Sequence, residues 1–306
     1  VTSDLAFALR SVGCAVGGGF ALRDVSFELP TGYVMGLIGA NGAGKTTMIR
    51  CLLGMRAIET GEAELLGRRV PGPVELRQDI GVVLDHTALV GDWRLTEVER
   101  TLRPFYDRWD GARYRHFLDE FGLDPRARVR DLSRGMAMKL VIAVALSHHA
   151  RLLVLDEPTS GLDPVARDEL AGIIGDFLLD EEHSVLFSTH ITADLDRIGD
   201  YVTLVHRGRV VRTGPKDEVL DSYRVVRGGP DDLGGTDGAA TLVGVELIGL
   251  RRTPAGAQAL VRAEEADLLD AGLLVERPTL EEIALHIGSE PSGPVGRRGG
   301  RSGAIA

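Results

Sequence analysis

A glycine-rich segment, Gly39-Ala40-Asn41-Gly42-Ala43-Gly44-Lys45-Thr46-Thr47, follows an apolar run at 33–38 and leads into a helical run at 47–53. Glycines let successive backbone N–H groups turn inward around phosphate oxygens, and the start of the following helix adds positive potential. Lys45 can then reach the β- and γ-phosphates while Thr46 offers its hydroxyl to Mg²⁺. The segment is a candidate cradle for a nucleotide. The chain carries 32 arginines but only three lysines, Lys45, Lys139 and Lys216, so a lysine marks a place where a compact point charge is needed.

About 110 residues further on, the apolar run Leu152-Leu153-Val154-Leu155 ends in Asp156 and Glu157. Two acids after a strand read alone as a solvated turn; downstream of a phosphate loop they read as site carboxylates. Asp156 is then expected at the carboxyl edge of the sheet, beside the phosphate loop of a parallel neighbour, where it can hold Mg²⁺ through water. Glu157 follows, placed to orient a water in line with the γ-phosphate.

Elements must bring these groups together, and the rhythm of the chain predicts an α/β domain. Strands are expected at 25–29, 33–38, 80–84, 152–155, 185–187, 202–205 and 210–212, and helices at 96–106, 112–121 and 135–147. A nucleotide-binding domain over 1–227, with a helical subdomain at about 86–147, is expected to give way to a glycine-rich linker at 228–239. A small C-terminal domain at 240–287 and a disordered tail at 288–306 complete the expected organisation.

Forty-four per cent apolar residues can build a full core, which excludes a disordered chain. The net charge of -10 has the wrong sign for a protein held to nucleic acid by phosphate neutralisation. Two cysteines, Cys14 and Cys51, are too far apart for a CxxC pair and read as small core residues. No apolar run has the length of a membrane span, and no signal peptide is visible, so a cytoplasmic location is expected.

The segments GANGAGKTT, Leu132-Ser133-Arg134-Gly135-Met136, LLVLDEPTSGLDP and Ser188-Thr189-His190, in this order, resemble the nucleotide-binding subunit of an ABC transporter over about residues 5–225. The resemblance implies the P-loop NTPase (ABC ATPase) fold, α/β with a helical subdomain, beside a small α+β C-terminal region. It implies ATP and Mg²⁺ as cofactors and a head-to-tail dimer, either a homodimer or a pair with a paralogous ATPase. Gly39, Asn41, Gly42, Ala43, Gly44, Lys45, Thr46 and Thr47 would bind the nucleotide, with Thr46, Asp85 and Asp156 at the metal. Ser133 and Gly135 would reach the γ-phosphate across the dimer, and Asp163 would link the two sites. Lys45, Glu157 and His190 would form the catalytic set.

Two positions depart from the family pattern. Val16 stands where an aromatic would stack on adenine, with Phe20 nearby and expected to pack in the β-subdomain. Asp85 replaces a glutamine. That aspartate, LSRGMAMKL and the segment from Phe187 to Val211 resemble the YtrB-like branch of ABC-2-type exporters, as does Pro278-Thr279-Leu280-Glu281-Glu282-Ile283. The branch implies an ATP-hydrolysing subunit at the cytoplasmic face of the membrane, powering a separate integral membrane permease and binding no nucleic acid. The alternatives are a soluble ABC ATPase acting on DNA or ribosomes and a non-hydrolysing nucleotide sensor.

Overall fold

The computed structural model describes residues 4–84, 89–234, 241–269 and 272–289. The first half contains β1 (Leu5–Gly17), β2 (Phe20–Pro30), β3 (Val34–Ile38), α1 (Lys45–Leu52), β4 (Thr60–Leu65), β5 (Arg68–Val70) and β6 (Ile80–Val83). Helices α2 (Leu95–Leu102), α3 (Gly111–Glu120) and α4 (Arg134–Leu146) follow. The chain returns through β7 (Leu152–Asp156), α5 (Pro164–Phe177), β8 (Ser184–Thr189), α6 (Ala193–Ile198), β9 (Tyr201–His206), β10 (Arg209–Pro215) and α7 (Lys216–Asp221). It ends with β11 (Tyr223–Gly228), β12 (Thr241–Leu242), β13 (Val245–Glu246), β14 (Ile248–Thr253), β15 (Gly256–Arg262), β16 (Leu274–Glu276) and α8 (Leu280–Gly288).

The central sheet has the order β10-β9-β3-β8-β7-β6, parallel except for the β10 edge. Every residue of β3, β7 and β8 is buried, because such a sheet is covered on both faces. Alternate side chains enter two separate cores. Leu153 and Leu155 point into the core shared with α4 and α5, whereas Leu152 and Val154 join the core formed by α1, β1 and β2. Both cysteines are free and buried in the second core, as expected of small apolar residues. Burial pushes the Cys51 thiol up to about 12, and its neighbour Cys14 adds to the rise.

Three expectations are corrected. The strand of Asp156 is not adjacent to the strand of the phosphate loop, since β8 lies between β3 and β7. The antiparallel sheet β2-β1-β4-β5 is far larger than the single segment expected at 25–29. Its longest strand, β1, has irregular register and a positive φ at Ser11, which obscures the alternation that would announce it.

The third correction concerns the C-terminal boundary. Tyr223–Gly228, expected to close the nucleotide-binding domain, is an inner strand of the sheet β14-β15-β11-β16. Leu233, inside the expected linker, is fully buried in the small C-terminal core. Helix α8 in turn places Leu280, Ile283 and Ile287 in the main core with Val34, Ile38, Leu195 and Val202. The C-terminal region is therefore packed onto the cassette rather than hung from it. Residues 235–240 of the expected linker and 290–306 of the expected tail lie outside the described residues.

Deleting residues 228–306 is thus expected to expose core surface and give an aggregating or low-melting chain. Ile283→Ala, at a site with 0% exposure, is expected to cost about 2–5 kcal/mol in denaturant unfolding.

Candidate nucleotide site

Beyond Ile38 the chain turns through residues 39–44 into α1, which opens on Lys45. Gly42 and Gly44 have φ of 80° and 115°, conformations that a side chain disfavours. A Cβ on Gly39 would stand 2.5 Å from the Val205 carbonyl oxygen, so the end of β9 packs on the loop. The Gly208 N–H donates to the Ala43 carbonyl at 2.8 Å and anchors the other end of the turn. No side chain caps α1 and its first turn carries no acid, which leaves its opening N–H groups for an anion.

Lys45 is 5% exposed, and its ammonium donates to the Gly39 and Ala40 carbonyls at 2.6 and 3.3 Å. Glu157 Oε1 lies 2.9 Å from the same Nζ, an ionic contact rather than an aligned hydrogen bond. Glu157 Oε2 is 2.7 Å from His190 Nδ1. One carboxylate is therefore held between a cation and an imidazole. Glu157 itself has φ of 52°, in the left-handed region, and its N–H donates to the Ser188 carbonyl and hydroxyl at 3.1 and 3.0 Å. The Ser188 hydroxyl donates to Asp156 Oδ1 at 2.6 Å.

Ser188 thus ties both acids to the strand that separates them from the phosphate loop. Sequence reasoning quoted this serine without giving it a role. Its signal was a hydroxyl inside a run of apolar strand residues, directly before Thr189 and His190.

Lys45, Glu157 and His190 border a cleft of about 590 Å³ lined also by Val16, Phe20, Asn41, Gly42, Gly44, Thr46, Thr47 and Ser160. Phe20 packs partly against the second core, yet its ring tip stands 3.0 Å from where a Gly44 Cβ would be. The ring therefore forms part of the cleft wall beside Val16. Asp156 is 1% exposed, and its Oδ2 accepts no hydrogen bond among the described residues. A buried carboxylate with one oxygen left open, directly before Glu157, suits a hard cation such as Mg²⁺. Asp85 lies outside the described residues.

Ser133, Gly135 and Asp163 do not border this cleft. Ser133 caps α4 by accepting the Met136 N–H at 3.2 Å, and Asp163 caps α5 by accepting the Ala166 N–H at 2.9 Å. Gly135 lies in the first turn of α4, where a Cβ would stand 3.6 Å from Leu162.

The family described as ABC transporter matches residues 22–160. A Nod factor export ATP-binding protein I from Rhizobium leguminosarum bv. viciae is 36% identical over 229 residues, 72% of each chain. The chain belongs to the ABC transporter family. As an ABC ATPase it also resembles the daunorubicin resistance ATP-binding protein DrrA3 of Streptomyces coeruleorubidus, 31% identical over 287 residues, or 87% of this chain and 90% of that one. A solved structure of an ATP binding subunit of an ABC transporter aligns with a TM-score of 0.63 and 28% identity, covering 70% of this chain and 91% of that one. The ABC-2 export resemblance of the sequence agrees with these relatives, and the fold class stands as expected.

Phe20 brings an aromatic ring to the lining of this cleft, and Val16 lines it without one. Phe20→Ala is expected to weaken binding of a fluorescent ATP analogue by about 1–3 kcal/mol, the range for a lost base-stacking ring. Val16→Ala should change it less.

Proposed function

We propose that this ATPase works in a head-to-tail dimer, of two copies or of one copy with a paralogue, and powers a separate integral membrane permease of the ABC-2 export type. The observation that carries the reading is the Glu157 carboxylate between Lys45 and His190, 2.9 and 2.7 Å away. A carboxylate so oriented accepts a proton from an attacking water, and the imidazole keeps it aimed. Lys45, already desolvated, takes phosphate oxygens in place of its carbonyl partners and neutralises charge on the transferred group.

The open oxygen of Asp156 and the Thr46 hydroxyl would hold Mg²⁺. Bound there, the ion supplies compensation of phosphate charge. Ser133 and Gly135 are exposed or half-buried at the start of α4, where free helix N–H groups can meet a γ-phosphate presented by a second subunit. Asp163, exposed at the start of α5, faces outward in the same way.

A permease needs a seat. An apolar groove of about 400 Å³ runs between Met55, Pro71, Leu76, Leu84, Tyr106 and Val144, at the junction of the central sheet with the helical subdomain. Met55, Val74 and Phe105, on the segments that border it, are 60%, 66% and 70% exposed. Large apolar side chains left in water at one groove favour a protein partner. No helix among the described residues is long and apolar enough to cross a membrane, which fits a peripheral subunit at the cytoplasmic face. The export and resistance functions in the relatives' names support the direction of transport.

Glu157→Gln is expected to block ATP turnover yet, if two copies pair, accumulate a nucleotide-bound dimer on size-exclusion chromatography; a monomer with ATP present would contradict the homodimer and leave the pairing with a paralogue. Met55→Asp and Phe105→Asp are expected to abolish co-purification with the permease while basal turnover persists, and retained binding would remove the groove as its seat.

A further inference from the structure

Two buried hydroxyls outside the phosphate cradle converge on one carboxylate. Thr159, two residues after Glu157, is 2% exposed and donates Oγ1 to Asp194 Oδ2 at 2.5 Å. Thr189, directly before His190, is 0% exposed, and its Oγ1 lies 3.5 Å from that same oxygen. A single oxygen of Asp194 therefore touches both the loop that carries Glu157 and the loop that carries His190.

The two arms differ in strength. The Thr159 bond is short and charge-assisted. Thr189 has one proton, which the Ile191 carbonyl at 3.2 Å also attracts, while its oxygen accepts the Ile191 N–H at 2.8 Å. The second arm is weaker, but it also shapes the turn that aims His190.

Asp194 can act as a fixed point because α6 is held from several sides. Leu195 is fully buried, and a Cβ on Gly36 would come within 2.2 Å of its Cδ1, so the helix lies directly on β3. Ile283 and Ile287 of α8 share the core with Leu195 and pack with Ile198. Lys216 Nζ donates to the Leu195 and Asp196 carbonyls at 3.4 and 2.9 Å. None of these contacts involves the phosphate loop, and Asp194 does not border the nucleotide cleft.

We propose that Asp194 is a positioning residue which, through Thr159 and Thr189, keeps Glu157 and His190 in a common geometry during turnover. The inference rests on the reading of Glu157 and His190 as the hydrolytic pair. It separates two tasks within one site. The cradle binds the nucleotide, and the Asp194 clamp sets the efficiency of the water-activating pair.

The test compares basal ATP turnover of the full chain with that of Asp194→Asn, Thr159→Val, Thr159→Ser and the double variant Thr159→Val/Asp194→Asn, with Glu157→Gln as control. The clamp predicts a fall in kcat of roughly ten- to a hundredfold for Asp194→Asn and Thr159→Val, the scale of a small misplacement of a catalytic group, with KM and ATP affinity nearly unchanged. Thr159→Ser, which keeps the hydroxyl, is expected to recover most of the rate. The double variant should be no slower than the slower single, since both cut the same link. Thermal melting accompanies each variant, and Thr159→Val, a swap of hydroxyl for methyl, carries the test should Asp194→Asn fail to fold.

An inactive Glu157→Gln together with wild-type kcat in Asp194→Asn and Thr159→Val overturns the clamp alone. So does a loss of ATP affinity that matches the loss of rate, or a Thr159→Ser variant as slow as Thr159→Val. A Glu157→Gln protein that turns over normally instead defeats the reading of Glu157, and the clamp falls with it.

Discussion

The carboxylate of Glu157 is shared between the ammonium of Lys45 and the imidazole of His190, and the remaining architecture is arranged to make that contact possible. The three residues are far apart in sequence and follow or open three different turns of the central sheet. Because β3, β7 and β8 run parallel, the segments after them emerge at the same edge. With β8 in the middle, Ser188 can bond Asp156 through its hydroxyl and Glu157 through both its hydroxyl and its carbonyl. The acids and the histidine are consequently positioned by one buried strand, not by separate flexible loops.

Electrostatics accounts for the choice of residues. An ammonium that is 5% exposed needs partners, and Lys45 finds two carbonyls and a carboxylate. The other two lysines of this arginine-rich chain also hold defined contacts. Lys139 pairs with Glu169 at 2.6 Å, linking α4 to α5, and Lys216 closes the end of α6 through backbone carbonyls. At Lys45 and Lys216 the partners are clustered carbonyls, which suit a compact three-donor head better than a planar fork. The left-handed backbone at Glu157 is a local cost that the two Ser188 bonds help to offset.

The C-terminal region belongs to the same mechanical unit. Helix α8 covers α6, and α6 begins three residues after His190, so the back of the segment that follows His190 rests on residues beyond position 279. A cleft of about 670 Å³ between Asn41, His190, Arg251 and Glu281 separates this region from the phosphate loop on the open side. The similarity to DrrA3 extends over 87% of the chain and so reaches into this region, whereas the match to the ABC transporter family stops at residue 160. The cassette and its C-terminal cover are best understood together.

Local sequence determined the phosphate loop, the two acids after it and the inner strands, because each depends on short-range rules: glycine where a Cβ is disfavoured, an apolar run where both faces are covered, carboxylates where such a run ends; His190 was marked only through the family resemblance. Ser133 and Asp163 cap α4 and α5 by the same kind of local rule. Tertiary structure alone decided that β8 separates β3 from β7, that Tyr223–Gly228 joins the C-terminal sheet, that Phe20 walls the cleft, and that Thr159 and Thr189 meet at Asp194. Strand order carries no local mark, since a parallel strand has the same apolar composition whichever neighbour it takes. A buried hydroxyl likewise does not reveal in sequence which distant carboxylate it will meet, because that pairing exists only once the sheet has brought the strand ends together.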